Sequence, residues 1–186
     1  MEFQGREELI ARLDAAVTQD TVEEITDAVQ DALVDVITER KVNLGEAAKV
    51  PCAEHYARRL LYKSPEHGYT VIAMIWGPDQ GTPVHDHSGV WCVEGVLDGD
   101  IDVVQYDLKE NEGERCRFEA QQTVRASVGS AGSLIPPFEY HTIANAHSDR
   151  SSITVHVYGK ELETCSTFQQ AGDGWYERKI KPLGYN

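Results

Sequence analysis

His85 and His87 stand two residues apart in GTPVHDHSGVWCVEGVLDG, and Cys92 follows the first of them by seven. Residues two apart on an extended strand share a face, so both imidazoles point one way and Asp86 the other. Two imidazoles on one face can meet a single transition metal. A third candidate, His141, lies in PPFEYHTIAN, after a Pro-rich turn and four residues before Asn145.

Two further stretches carry polar groups in a pattern. In SSITVHVYG, period two sets Thr154, His156 and Tyr158 on one face and Ile153, Val155 and Val157 on the other. The aliphatic row suits a hydrophobic layer behind the strand. The polar row suits a hydrogen-bond relay in which His156 orients the Tyr158 hydroxyl. In HYARRLLY, Tyr56 precedes Arg58 and Arg59. A guanidinium is suited to planar, two-point recognition of a carboxylate, and either arginine can supply it.

The elements that hold these groups are legible from periodicity. In TVEEITDAVQDALVDVITER, Val22, Ile25, Val29, Leu33, Val36 and Ile37 recur at helical spacing, with Asp20 or Thr21 as the cap. A shorter helix is expected over 6–18, with Ile10, Leu13 and Val17 on one face, and NLGEAAKV adds a further turn. From about residue 69 the texture changes. YTVIAMIW, VWCVEGVL, IDVVQYDL, QQTVRASV and SSITVHVYG are short, β-branched and aromatic, separated by Gly, Pro, Asn and Asp. That spacing predicts an antiparallel sandwich or small barrel. The expected organisation is a helical extension over 1–50 packed on a barrel over 51–186, forming one structural unit.

Composition narrows the function classes. The chain of 186 residues has a net charge of −14, which repels phosphate backbones and anionic membranes, so neither nucleic acid nor membrane is expected as a partner. No run of about 18 apolar residues is present, and MEFQGREELIARLD lacks the basic start and apolar middle of a secretory signal, which predicts a cytoplasmic protein. The four cysteines, Cys52, Cys92, Cys116 and Cys165, form no CxxC pair, so neither a structural zinc site nor disulfides are expected. Nothing in the pattern specifies an oligomer.

The HxH pair, the later Pro and His141, and Asn145 together resemble the paired motifs of the cupin superfamily, over roughly residues 69–160. The resemblance implies a double-stranded β-helix, a small antiparallel β-barrel preceded here by helices. In that pattern an acidic ligand follows the HxH pair, but here its position falls on Trp91 or Cys92, and Glu94 stands two residues beyond. The expected ligand set is therefore three neutral histidines, His85, His87 and His141. Without the negative ligand of a 2-His-1-carboxylate centre, iron is more electron-poor and favours a soft anionic donor such as a thiolate. Zinc also accepts three histidines and a water, so the ligands alone do not name the metal.

The joint pattern is more specific than its parts. HDH, Cys92, a later lone histidine, His-x-Tyr, an upstream Tyr-x-Arg and LETCSTF resemble the cysteine dioxygenase family of thiol dioxygenases, from about Tyr56 to Phe168. The resemblance implies Fe(II) at His85, His87 and His141. It implies a small thiol carboxylate, L-cysteine foremost, and O2 as substrates, with both oxygen atoms entering the sulfur to give the sulfinate. Arg58 matches the arginine that grips the substrate carboxylate, with Arg59 the adjacent alternative and Tyr56 beside it. Tyr158 matches the active-site tyrosine, His156 its partner, and Thr154 supports both. Cys92 matches a cysteine that in some members forms a thioether to that tyrosine. Trp76, in IWGPDQG, matches a pocket wall. The Trp91-Cys92 sequence is also similar to bacterial 3-mercaptopropionate dioxygenases, whereas Arg58 favours an amino-acid thiol. A reading of another class is a metal-binding cupin sensor, or a zinc-dependent isomerase or hydrolase with Glu94 as its base.

Overall fold

Two antiparallel sheets face each other and enclose the polar residues singled out above. The computed structural model describes residues 1–186. The chain opens with helices α1 (Arg6–Ala16) and α2 (Val22–Thr38) and a 3-10 turn over Glu46–Lys49. Twelve strands follow: β1 (Ala57–Lys63), β2 (Thr70–Trp76), β3 (Val84–His85), β4 (Cys92–Asp98), β5 (Asp100–Asn111), β6 (Arg115–Ala120), β7 (Val124–Ser127), β8 (Ala131–Leu134), β9 (His141–Asn145), β10 (Ser152–Tyr158), β11 (Thr164–Gly172) and β12 (Trp175–Pro182). One sheet has the order β1-β2-β10-β4-β8 and the other β6-β12-β11-β3-β9-β5-β7. Closing two such sheets around a common interior gives the cupin-type double-stranded β-helix expected from the sequence. The open C-terminal stretch resolves as β12, which pairs with β11 from Thr164↔Pro182 to Gly172↔Trp175.

Local chemistry explains the helices. Thr21 forms a capping box with Glu24: the Glu24 N–H donates to Thr21 Oγ1 at 3.2 Å and the Thr21 N–H donates to the Glu24 carboxylate at 3.1 Å. The apolar stripe of α2, Val29, Leu33, Val36 and Ile37, joins Leu9 and Leu13 of α1 in one buried cluster with Ile153, Val155 and Val157 of β10. Fully burying a side chain of this size contributes roughly 1.5–3 kcal/mol. The helices lie close against the sheet. At Gly95, in β4, a Cβ would meet Ile37 Cδ1 at 3.0 Å, so the missing side chain is what admits α2. Tyr69 adds a polar tie, donating from its hydroxyl to Asp14 of α1 at 2.7 Å.

The opposite face of the five-stranded sheet turns to the interior. Residues directly opposite on paired strands share a face, and the register aligns Arg58 with Met74, Thr154 with Met74 and Val96, His156 with Ile72 and Glu94, and Tyr158 with Thr70 and Cys92. From the facing sheet, His85 of β3 pairs directly with His141 of β9. One wall thus supplies a histidine pair and the other a row of polar residues.

Candidate metal centre and pocket

His85, His87 and His141 each offer a ring nitrogen, and these atoms lie within 4.8 Å of one another. The ring centroids are 4.2 Å apart for His85 and His141, 5.4 Å for His85 and His87, and 5.1 Å for His87 and His141. The strand argument for His85 and His87 is corrected in one respect. β3 ends at His85, and His87 sits in the following turn, where Ser88 and Gly89 take φ of 52° and 75°. Asp86 points away, as period two requires, and its Oδ1 accepts from the Ser166 N–H at 2.7 Å and the Ser88 N–H at 3.1 Å. That anchor ties the turn to β11 and holds His87 in place.

The donor chemistry of this triad fits a metal ion. The Nδ1 of His85 lies 3.2 Å from the Pro83 carbonyl and that of His141 lies 2.8 Å from the Glu139 carbonyl. A carbonyl only accepts, so both Nδ1 atoms carry the proton and both Nε2 atoms present a lone pair. Both ring nitrogens of His87 and the Nε2 of His141 are buried without a hydrogen-bond partner. Buried polar atoms are rarely left unpaired in a native fold, and a shared cation removes the deficit. Burial, with His141 adjacent, lowers His85 to about 3, and the same causes hold His87 well below its ordinary value. Both rings are therefore neutral and ready to donate at physiological pH. His141 differs: burial opposes its charge, but the Glu94 carboxylate outweighs burial and moves it upward.

Glu94 is the residue that sequence reasoning left outside the metal set. It is 8% exposed, and its Oε1 lies 3.4 Å from His141 Nε2 and 3.1 Å from His156 Nδ1. The carboxylate thus stands beside the three-histidine group. Cys92 and Glu94 both face inward on β4, so an acid two positions along the strand keeps the same face. The signal was the shared parity of positions 92 and 94. Burial pushes the Glu94 carboxyl up, but His156 and His141 beside it win and hold it well below its ordinary value.

The polar row on β10 forms a directed chain. The Trp76 indole N–H donates to Thr154 Oγ1 at 2.9 Å, and Thr154 Oγ1 lies 2.7 Å from His156 Nε2. An indole can only donate, so the Thr154 hydroxyl proton is free to go to Nε2, which leaves the His156 proton on Nδ1. That Nδ1 faces Glu94 Oε1 at 3.1 Å, the Tyr158 hydroxyl at 3.5 Å and Cys92 Sγ at 4.0 Å. The expected His156–Tyr158 contact is present, and the carboxylate is closer. Burial, reinforced by Glu94, raises the Cys92 thiol well above its ordinary value. Burial, with Cys92 next, does the same to the Tyr158 phenol. Both are protonated groups facing the histidines.

Arg58 and Arg59 part company. Arg59 turns outward and donates to the Val50 carbonyl at 3.2 Å. Arg58 is buried, and its Nη1 donates to the Gly184 carbonyl at 3.2 Å, while Nε and Nη2 are enclosed without partners. The same Nε–Nη2 edge of Arg125 grips the two oxygens of Asp102 at 2.8 Å each, so Arg58 offers an unused carboxylate fork. A cavity of about 270 Å³ borders it, lined in part by Tyr56, Lys181, Leu183 and Tyr185. Tyr56 lies against Trp76 with ring centroids 4.5 Å apart and planes tilted by 31°. The C-terminal residues clamp this corner: the Arg58 N–H donates to Asn186 Oδ1 at 2.8 Å, and the Asn186 N–H donates back to the Arg58 carbonyl at 2.9 Å. No local sequence signal connected residues 183–186 with Arg58. A second cavity, of about 300 Å³, reaches Glu94 from between β4, β5, β7 and β8, and its wall includes Val96, Ile101, Val103 and Leu134.

The sequence profile of the family described as cysteine dioxygenase type I matches residues 8–171. The cysteine dioxygenase type 1 of Rattus norvegicus is 20% identical over 102 residues, covering 55% of this chain and 50% of that protein. Its counterpart from Bos taurus is 24% identical over 102 residues with the same coverage. The chain thus matches about half the length of these curated relatives. Among solved structures, an uncharacterized conserved protein with a double-stranded beta-helix domain from Klebsiella pneumoniae aligns with a TM-score of 0.48 at 14% identity, covering 67% of this chain and 93% of that one. No helix is long and apolar enough to cross a membrane.

Proposed function

The chain belongs to the cysteine dioxygenase type I family, and from that premise we propose that it is a non-haem Fe(II) thiol dioxygenase. The reaction is oxidation of a small thiol carboxylate, L-cysteine foremost, to its sulfinate, with both atoms of O2 entering the sulfur. The observation that carries this reading is the buried, unpartnered Nε–Nη2 edge of Arg58, whose charge acts on Tyr158, together with the three-histidine donor set, of which His87 lies 5.4 Å from the Tyr158 ring. Thiol and carboxylate at opposite ends of one small molecule match those two features.

His85, His87 and His141 would hold the iron through neutral imidazole nitrogens. Iron bound there supplies an acidic site that favours the thiolate over the thiol and brings it together with O2. Arg58 receives the substrate carboxylate as a two-point hydrogen-bond acceptor, and Lys181 nearby adds positive charge to the same cavity. This local charge offsets the acidic character of the whole chain. Tyr158 keeps its phenolic proton and donates a hydrogen bond into the pocket. His156 orients that hydroxyl, and Thr154 and Trp76 fix the tautomer and rotation of His156. Trp76 and Tyr56, in contact with each other, exclude water from the carboxylate end. The four free cysteines suit a reducing compartment, and the reading extends to a cytoplasmic enzyme.

The test is an oxygen-electrode assay after anaerobic reconstitution with Fe(II). L-Cysteine is expected to give O2 uptake and a sulfinate two oxygen atoms heavier, with 3-mercaptopropionate oxidised more slowly. Preference for 3-mercaptopropionate would move the substrate to the mercapto-acid class. The position of Glu94 favours one second reading, a zinc-dependent isomerase or hydrolase with that carboxylate as base. Zinc-loaded protein with no O2 uptake from any thiol after iron reconstitution would select it over the dioxygenase.

A further inference from the structure

We propose that Tyr185 is a positioning residue for Arg58, and through it a determinant of selectivity for thiols that bear a carboxylate. Its ring, carried on the strap over 183–186, sets the angle at which the guanidinium meets the substrate. The inference rests on the carboxylate role of Arg58 proposed above and names the residue that orients it.

Three observations carry it. First, the Arg58 guanidinium carbon lies over the Tyr185 ring, 5.5 Å from its centroid. A cation within about 6 Å of an aromatic centroid is attracted to the ring face. Second, the strap divides the guanidinium into a held end and a free edge. Nη1 donates to the Gly184 carbonyl at 3.2 Å, while Nε and Nη2 have no partner. The Arg58 backbone is fixed to the same segment by its two hydrogen bonds with Asn186. No acidic side chain lines the bordering cavity, so nothing in its wall competes for the free edge. Third, the strap is itself anchored. The Leu183 N–H donates to the Glu163 carbonyl at 2.8 Å, and the Tyr185 hydroxyl donates to the Glu161 carboxylate at 3.2 Å. Glu161 pairs in turn with Lys63, on the same strand as Arg58.

A long side chain loses rotamer freedom when it engages a ligand, and a fork already oriented loses less. With the ring against it and Nη1 occupied, the guanidinium presents its Nε–Nη2 edge before substrate arrives. Without the ring, the charge stays in the cavity but the fork can turn. The effect therefore falls on thiols with a carboxylate to place, and not on cysteamine. The competing arrangement is a strap that only closes the barrel. Losing the ring would then change both thiols alike, or neither.

The experiment compares full-length wild type, Tyr185→Leu and Tyr185→Phe in two readouts. Fe(II)-reconstituted protein gives kcat and KM from O2 uptake with L-cysteine and with cysteamine. Zn(II)-loaded, isotope-labelled protein gives the guanidinium NMR signals of Arg58, identified by their loss in Arg58→Lys. Tyr185→Leu is expected to raise KM for L-cysteine roughly three- to tenfold, with kcat little changed and KM for cysteamine unmoved. It should also merge the two Nη signals that hindered rotation keeps apart in the wild type. Tyr185→Phe keeps the ring without the hydroxyl, and should retain the wild-type KM and the split signals. A KM for L-cysteine that does not rise in Tyr185→Leu, or that rises equally with that for cysteamine, overturns the proposal. If the wild type consumes no O2 with any thiol, the dioxygenase reading falls and the NMR comparison decides the role of Tyr185 by itself. Signals that stay split in Tyr185→Leu, or that are already merged in the wild type, then refute it. Tyr185 is 39% exposed, so its replacement leaves the core untouched. Should Tyr185→Leu still lose its cooperative thermal transition, Tyr185→Gln, which also lacks the ring, decides by the same criteria.

Discussion

Cys92 and Tyr158 sit directly opposite each other across the β4–β10 ladder, both side chains buried and turned to the interior. Cross-strand partners bring their side chains within contact of each other. A thioether between Sγ and the ring carbon next to the phenol removes one hydrogen from each residue, with O2 as the oxidant. Peptide mass spectrometry after turnover is expected to detect the joined peptides lighter by two hydrogens. Cys92→Ser and Tyr158→Phe should each abolish that species. Its absence from active wild-type protein after many turnovers would leave Cys92 as a packed thiol.

Arg58→Ala should be selective. Losing a two-point charged hydrogen bond costs about 1.5–3 kcal/mol, or roughly ten- to a hundredfold in kcat/KM for thiols bearing a carboxylate. Cysteamine, which has none, should change little. Arg59→Ala, with its guanidinium on the Val50 carbonyl, should leave both unchanged. Parallel losses for cysteine and cysteamine in Arg58→Ala would remove the residue from carboxylate binding.

Tyr69→Phe should destabilise the fold without touching the pocket. The hydroxyl is the polar tie between barrel and α1, at 2.7 Å from Asp14, and its removal is expected to cost about 1.5 kcal/mol in urea unfolding. Burial, and then Asp14, push the phenol up in the folded state. A group whose folded value is raised gives stability that is fully present below the unfolded value, about pH 10 for tyrosine, and lost as pH climbs beyond it. The wild type should therefore lose stability above about pH 10 more steeply than Tyr69→Phe. Parallel profiles would show that the tie does not couple to folding.

Alkylation should separate the cysteines. Cys52 is partly exposed, whereas Cys92, Cys116 and Cys165 are buried. Burial raises Cys165 to about 11, so its thiolate fraction near pH 8 is only about one in a thousand. Iodoacetamide on the native protein should modify Cys52 first and the other three only after unfolding. Rapid native labelling of Cys165 would contradict its burial.

Much of this site is written in local patterns. The β10 row was legible because alternation in SSITVHVYG separates Thr154, His156 and Tyr158 from the aliphatic residues that meet the helices. The helices were legible because their stripe and the Thr21 cap are local. Glu94 was visible only by parity. Spacing rules look at one fixed position, whereas a buried side chain on the same face two residues away also reaches the interior. The short strands β8 and β9 and the strap over Arg58 left no readable trace. The strap is made by Asn186 bonding to a strand more than a hundred residues earlier, a contact that depends on closure of the whole barrel. His87 came to the right place for a partly different reason, a left-handed turn anchored by Asp86 rather than strand alternation.

One strand separates the helical layer from the histidine cluster. On β10, Val155 and Val157 are packed against the helices, and His156 between them belongs to the pocket. A replacement such as Leu33→Ala, which opens space beneath Gly95 of the adjoining strand β4, therefore acts like a loosened mounting under an optical element. The instrument loses alignment before it breaks. Variants of the helices will register as altered chemistry at temperatures where the chain is still folded, and an activity assay alone would misassign them to the pocket.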